Sequence, residues 1–296
     1  MVAKYTIKTF NAQFATEEAC LEFLKNARWP NGIHCETCQK VTKHHRVASR
    51  RSYSCDYCGH HVHPTAGTIF HKSVTPLRDW FYAMFQMAST RCGISAKQLE
   101  RELGVTYKTA WRMFREIRKL MNEDRGPLTG QVEMDETYVG GEVRGRGRGY
   151  NKNKTLVIGA VQRGGDVRTG TGTSVSHAEI KGFLTENISP EVTTIFTDEH
   201  PTYKFLDKTG VAHETVAHRQ GEYVRGAAHT NSVEGFWSLA KRGIDGVYHQ
   251  VSPQYLPSYM NEYGFRYNHR HDAEPMFEAL MARVPACATD GTAQAS

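Results

Sequence analysis

Gln131-Val-Glu-Met-Asp-Glu-Thr-Tyr-Val139 alternates apolar and polar side chains at the two-residue period of a β-strand, and it opens the stretch whose element order decides the fold. A more continuous apolar strand is expected at Thr155 to Val161, a helix at Ala178 to Asn187, and another strand at Thr193 to Asp198, ending on an acid. Further on, His229-Thr-Asn-Ser-Val-Glu-Gly-Phe-Trp-Ser-Leu-Ala-Lys-Arg-Gly243 divides at helical pitch into two faces. Asn231, Glu234, Ser238 and Lys241 line one; Val233, Phe236, Trp237 and Ala240 line the other.

Strands, a helix, a strand ending in Asp and then helices is the order of a mixed α/β domain of the RNase H type. In such a sheet the strands bearing Asp135 and Asp198 are neighbours and a C-terminal helix packs across them. Asp135, Asp198 and Glu234 are therefore expected to converge. Clustered carboxylates repel one another and desolvate at a cost, so they normally mark a site for hard cations with oxygen ligands. Two Mg²⁺ or Mn²⁺ ions about 3.5–4 Å apart, held by these three acids, would serve in-line displacement at a phosphodiester. Lys241, two turns beyond Glu234, is placed to hold a phosphate. Glu136 and Glu199 each follow an Asp directly, so they are expected on the opposite face with a structural or supporting role. His200, Tyr203 and His229 lie near the acids in sequence and are candidates for orienting water or DNA.

Between the first two strands, Gly140 to Lys154 holds five cations, one acid and five glycines. It is expected to order only on a polyanion, with Arg144, Arg146 and Arg148 contacting DNA. The Walker spacing is absent, which argues against a nucleotide loop. Asn122 to Gly130 is polar with Gly and Pro and reads as a linker. Before it, Asp79 onward is an apolar helix, Ser95-Ala-Lys-Gln98 opens a second helix with a capping-box pattern, Gly104 ends that helix, and Thr106 caps a third. Ala110, Trp111, Phe114 and Ile117 of the third helix are expected to pack inward. Tyr107, Lys108, Arg112, Arg115 and Lys119 remain available, and a helix-turn-helix that places Lys108, Arg112 and Arg115 on DNA follows.

Glu17 to Lys25 is a short amphipathic helix ending near Trp29-Pro30. Cys35-x-x-Cys38 and Cys55-x-x-Cys58, with 16 residues between them, supply four thiolates for one tetrahedral structural Zn²⁺. Around these knuckles Lys40, Lys43, His44, His45, Arg46, Arg50 and Arg51 mix with Tyr53 and Tyr57, a composition suited to nucleic acid. The expected organisation is an N-terminal segment and zinc ribbon (1–72), a helix-turn-helix region (73–124), an RNase H-like catalytic domain (125–285) and a frayed tail (286–296).

Composition sets looser bounds. A chain of 296 residues is long enough for two or three units. Lys and Arg exceed Asp and Glu by 37 to 31, a net charge of +6 that permits a polyanionic partner without requiring one. There is no 18-residue apolar run, and the opening residues lack the order of a secretion signal, so a cytoplasmic, DNA-associated protein with no membrane partner is expected.

From about Trp29 to Asn268 the chain resembles the DDE-type insertion-sequence transposases that carry an N-terminal zinc ribbon. The resemblance runs through CETC and CDYC, Thr65-Ala-Gly-Thr-Ile-Phe70, Met134-Asp-Glu-Thr-Tyr-Val-Gly-Gly141, Thr197-Asp-Glu-His200, His229-Thr-Asn-Ser-Val-Glu-Gly-Phe-Trp-Ser and Phe265-Arg-Tyr-Asn268. It implies that Asp135 and Asp198 are the first two catalytic acids and that Lys241 contacts DNA. The third position falls on Glu234 or Asn231; Glu234 is favoured because it pairs with Lys241 at two turns. It also implies binding to the terminal inverted repeats of a mobile element, cleavage that exposes 3′-hydroxyls, and strand transfer by a homodimer or larger assembly on double-stranded DNA. The alternatives are a DNA-binding regulator or domesticated protein without joining activity, and simple metal-dependent hydrolysis.

Overall fold

Alternation along β6 (Leu128–Gly140) sends Val132 and Met134 into one core and Val139 into another, so this strand is buried on both faces. A computed structural model describes residues 5–140, 154–216 and 229–285, and the chain divides into two units. One comprises residues 91–95 and 121–271; the other comprises residues 1–90, 96–120 and 272–296.

In the first unit β6 lies at the centre of a five-stranded sheet with β7 (Lys154–Gln162), β8 (Val167–Gly172), β9 (Ile188–Asp198) and β10 (Ala212–Val216). The spatial order is β10-β9-β6-β7-β8. β6 and β7, and β7 and β8, pair antiparallel; β6 and β9, and β9 and β10, pair in parallel. Counted by appearance this is 3-2-1-4-5 with the second strand reversed, the RNase H arrangement that the element order predicted. On one face α6 (His177–Asn187) and a 3-10 helix at Pro201–Lys208 bury Ile180, Phe183 and Tyr203 against Val132, Met134 and Ile158. On the other, α7 (Asn231–Gly243) and α8 (Leu256–Asn268) bury Val233, Phe236, Trp237 and Tyr263 against Val157 and Val161.

The Phe265–Asn268 motif is structural in this unit. The Asn268 side chain accepts from the Val167 amide at 2.8 Å and donates to the Val167 carbonyl at 3.4 Å, tying α8 to edge strand β8. Arg266 pairs with Glu262 at 2.5 Å, and Tyr248 donates to the same carboxylate at 2.6 Å.

The second unit holds α1 (Ile7–Gln13), α2 (Glu17–Arg28), two small antiparallel sheets, and helices α3 (Leu77–Ser89), α4 (Ala96–Leu103) and α5 (Tyr107–Leu120). The sheets comprise β1 (Ile33–Cys35) with β2 (Lys40–Thr42), and β3 (His44–Val47) with β4 (Ser52–Cys55) and β5 (His61–Val62). Gly104 ends α4 with φ +66°, and the Thr106 hydroxyl accepts the Thr109 amide at 3.2 Å, the turn and cap expected from the sequence.

Four features differ from expectation. β6 begins at Leu128, inside the expected linker, because Leu128 is buried in the sheet's core. β8 and β10 were not anticipated: each is short, and the exposed, polar-rich β10 has no apolar face to announce it. Trp111 is only half-buried, with Arg115 over its ring at 5.4 Å. Finally, α9 (Met276–Ala282) was expected within the catalytic domain, yet it belongs to the unit of α1 and α3. Its Phe277 ring lies 4.7 Å from Tyr5, 6.0 Å from Phe10 and 5.9 Å from Phe85. Among the described residues no helix is long and apolar enough to cross a membrane.

Candidate active site and nucleic-acid interface

Glu133 of β6 lies opposite Phe196 of β9 in the parallel register, so two residues on, Asp135 and Asp198 stand side by side on the face covered by α7. Burial pushes the Asp135 carboxyl up to about 7, with the Glu136 and Asp198 charges adding to the shift. Trp237 on α7 donates its indole N–H to Asp135 Oδ2 at 3.0 Å. Gly159, directly across from Asp135 on β7, makes this contact possible: a Cβ there would stand 2.5 Å from the indole ring. Asp198 Oδ1 accepts the His200 amide at 3.0 Å. Behind Asp198, the Thr197 hydroxyl donates to the Asp198 carbonyl at 2.8 Å and lies 2.9 Å from His213 Nε2, while His213 Nδ1 lies 2.6 Å from Asp207. Among the described residues neither acid has an ion-pair partner, and paired carboxylate oxygens are the ligand type that a divalent cation takes.

The predicted outer face of α7 is present. Asn231, Glu234, Ser238 and Lys241 are exposed while Val233, Phe236, Trp237 and Ala240 are buried. The expected convergence of three acids is only two-thirds built. Among the described residues, the one set of three or more His, Cys, Asp or Glu with ligand atoms within 4.8 Å of one another is cysteine, so Glu234 does not close on Asp135 and Asp198. Glu234 is engaged locally instead: the Thr230 hydroxyl donates to its Oε1 at 2.7 Å.

Glu136 sits on the opposite face as expected, where Tyr203 donates to it at 2.5 Å. Its carboxyl is raised, first by burial. Tyr203 is fully buried, so it supports Glu136 and is not exposed to DNA. His229 lies 3.1 Å from the buried Glu133, a residue the sequence reading passed over. An acid two positions before Asp135, hence on the same strand face, was the available signal.

In the other unit the four Sγ atoms of Cys35, Cys38, Cys55 and Cys58 gather into one group that fits a tetrahedral zinc. Cys35 and Cys58 sulfurs are 3.5 Å apart, and Cys38 and Cys55 sulfurs 3.9 Å. The Thr42 hydroxyl, 3.2 Å away, leads in pulling the Cys55 thiol down to about 5, while contact with Cys58 leads in pushing Cys38 up to about 12.

The cations around this group divide sharply. Arg51 pairs with Glu17 at 2.8 Å and donates to the Ser73 and Thr75 carbonyls; Arg46 donates to the Val47, Arg50 and Ser52 carbonyls; Tyr53 is buried and donates to Glu22. These hold the fold. Lys40 stays exposed over the ring of Tyr57, itself 72% exposed. On α5, Lys108 is exposed, Arg115 pairs with Glu116 at 3.0 Å, and Arg112 is drawn inward over Trp80 and toward Ser73. Of the three cations expected on DNA from this helix, Arg112 is thus committed to packing. Arg144, Arg146 and Arg148 lie outside the described residues.

Residues 127–268 match the family model for the ISXO2-like transposase domain, and residues 15–61 match the transposase zinc-ribbon domain. The chain belongs to this transposase family. A relative from Halobacterium salinarum, described as an uncharacterized protein in transposable element ISH50, is 30% identical over 272 residues, spanning 86% of this chain and 91% of its own. Solved structures with detectable likeness include the Mos1 strand transfer complex (13% identity, TM-score 0.32, 70% of this chain and 75% of that one). A simian T-cell lymphotropic virus intasome is similar at 12% identity and TM-score 0.28, over 57% of this chain and 60% of that one. The strand order, and not superpositions at these scores, carries the fold of this transposase.

Proposed function

We propose that this transposase binds the terminal inverted repeats of its own element, cuts the DNA to expose 3′-hydroxyls and joins them to target DNA. The observation that supports this most strongly is the Asp135–Asp198 pair: two carboxylates on adjacent parallel strands, facing the same way and, among the described residues, without an ion-pair partner. Asp135 and Asp198 hold divalent metal. Bound Mg²⁺ or Mn²⁺ supplies activation of a water or 3′-hydroxyl and stabilisation of the leaving oxygen. Glu234 completes the ligand set once it leaves Thr230, with Asn231, one turn earlier on the same exposed face, as the alternative. Lys241, exposed two turns beyond Glu234, holds a DNA phosphate. The indole N–H of Trp237 holds Oδ2 of Asp135 and so fixes which way that carboxylate faces.

In the same reading Cys35, Cys38, Cys55 and Cys58 hold a structural Zn²⁺, and the ribbon (within 1–72) and helix-turn-helix (73–124) recognise the ends. Lys108 and Arg115 supply contacts from α5, joined by Arg144, Arg146 and Arg148. The domain of residues 125–285 as read from the sequence carries both transesterifications, its last helix packing elsewhere. Because two ends must meet, a dimer or larger assembly forms on double-stranded DNA.

The test is incubation of purified protein with Mg²⁺ or Mn²⁺ and DNA carrying the sequences that flank its gene, with Asp198→Asn alongside. Nicks bearing 3′-hydroxyls and joined products that require Asp198 support the proposal. Specific binding with no cleavage would replace it with a regulator, and cleavage with no joining would replace it with a hydrolase.

A further inference from the structure

Glu133 stands two residues before Asp135 on the same face of β6 and is 0% exposed, yet it is built unlike its neighbour. Its Oε1 receives Arg163 Nε at 2.8 Å and the Ser232 hydroxyl at 3.1 Å. Its Oε2 receives the Ser232 amide at 2.7 Å and the Val233 amide at 3.2 Å. A carboxylate offers about four lone-pair directions, and four donors fill them, with His229 Nδ1 standing a further 3.1 Å from Oε1. Glu133 therefore has no oxygen left for a cation, despite its place beside the acid pair.

Two of those donors are first-turn amides of α7, groups that no i−4 carbonyl can satisfy. The residue before the helix, Thr230, makes no cap of its own because its hydroxyl goes to Glu234. The strand supplies the cap instead, and a negative charge at the positive end of the helix is favourable there. Arg163 extends the arrangement: Nη2 donates to the His229 carbonyl at 2.9 Å, and the guanidinium lies 3.8 Å from the centre of the Phe196 ring, two residues before Asp198. One charge pair, a buried Glu133 and a half-buried Arg163, thus links the strand of Asp135, the strand of Asp198 and the first turn of α7.

We propose that Glu133 is the positioning residue that sets the height of α7 over the acid pair, so that Trp237 meets Asp135 and the exposed Asn231 and Glu234 stand at the site's edge. The inference rests on the metal-dependent reading given above. Glu133 acts through α7 and touches no reacting atom.

The test compares wild type, Glu133→Gln, Glu133→Gln/Arg163→Gln and Asp135→Asn as zinc-loaded full-length proteins. Mn²⁺ binding is followed by paramagnetic resonance without DNA, and amide hydrogen exchange is followed along residues 231–241. Glu133→Gln should weaken Mn²⁺ binding by about tenfold, the scale typical of losing a group that orients metal ligands. It should also speed exchange at Ser232 and Val233 while leaving zinc content and affinity for DNA ends unchanged. The double variant, which pairs two neutral amides where a half-buried arginine would otherwise lose its carboxylate, should recover part of the Mn²⁺ affinity. If Glu133→Gln does not fold, Glu133→Asp keeps the charge, shortens its reach by one methylene, and should show the same two effects. Faster exchange with unchanged Mn²⁺ affinity would make Glu133 merely structural, and unchanged exchange would remove it as the anchor; either result overturns the proposal. Equal Mn²⁺ binding by wild type and Asp135→Asn would instead sink the metal reading, and the exchange data would then decide the docking role alone.

Discussion

The four cysteines and the paired acids are both read as metal sites, yet one is assembled in the folded chain and the other is not. All four sulfurs lie within 4.8 Å of one another, brought there by two short turns and the strands beside them. Asp135 and Asp198 come from strands 63 positions apart, and Glu234 is engaged elsewhere. A site whose ligands sit close in sequence closes when its own hairpins form. A site spread over a sheet and a separate helix closes only as far as long-range packing carries it, and in the proposed reading the third ligand joins when metal or DNA binds. The contrast predicts that zinc is part of the ribbon's fold, whereas Mg²⁺ is part of the reaction.

The sharpest break between them is Asp198→Asn, which should abolish cleavage while end binding in a mobility-shift assay and the thermal transitions stay intact. Equal loss of binding would show that the two sites are not separable. Cys55→Ser should do the reverse. Structural zinc in small domains contributes on the order of 10–16 kcal/mol of apparent binding free energy, so losing a ligand should release zinc, unfold the ribbon and remove end binding, with the sheet's thermal transition retained.

Trp237→Phe keeps an aromatic ring on α7 but deletes the N–H that holds Asp135 together with the benzo edge over Gly159, and cleavage should fall about 10–100-fold with end affinity unchanged. Wild-type cleavage by this variant would mean that the indole only packs. Lys108→Ala should weaken end binding by about 1–3 kcal/mol if it reads a base edge, or change mainly the salt dependence if it meets a phosphate. Arg112→Ala should instead lower thermal stability through its lost contact with Trp80.

The smallest effect is a drift with pH. Burial and neighbouring charge raise Asp135 from 3.8 to about 7, so the folded state holds that proton more tightly than the unfolded chain does. This contribution is complete below about pH 4 and is lost as pH rises through 7. Without Mg²⁺, the sheet's melting temperature should fall across that window. Asp135→Asn should flatten the fall, and added Mg²⁺ should oppose it.

What the sequence displays follows the same division. The helical faces of 231–243, the turn at Gly104, the Thr106 cap and the cysteine pairs are patterns within a few residues, and all are present in the structure. The alternation of β6 likewise marked Asp135. Glu133, Gly159 and α9 were not legible, because each takes its meaning from distant partners: first-turn amides about 100 positions on, an indole 78 positions on, and aromatic rings near the other end of the chain. Arg112 and Arg46 show the converse limit, since a cation on a candidate interface looks the same in sequence whether it stands free or is held by an aromatic ring or by backbone carbonyls.

Phe277 carries a consequence for synthesis. Its ring completes an aromatic cluster with Tyr5, Phe10, Phe14 and Phe85, so the unit that holds the ribbon lacks one wall of its core until the ribosome has passed residue 277. The unit that carries the acids ends at residue 271. The half proposed to cut DNA can therefore be finished before the half proposed to recognise it.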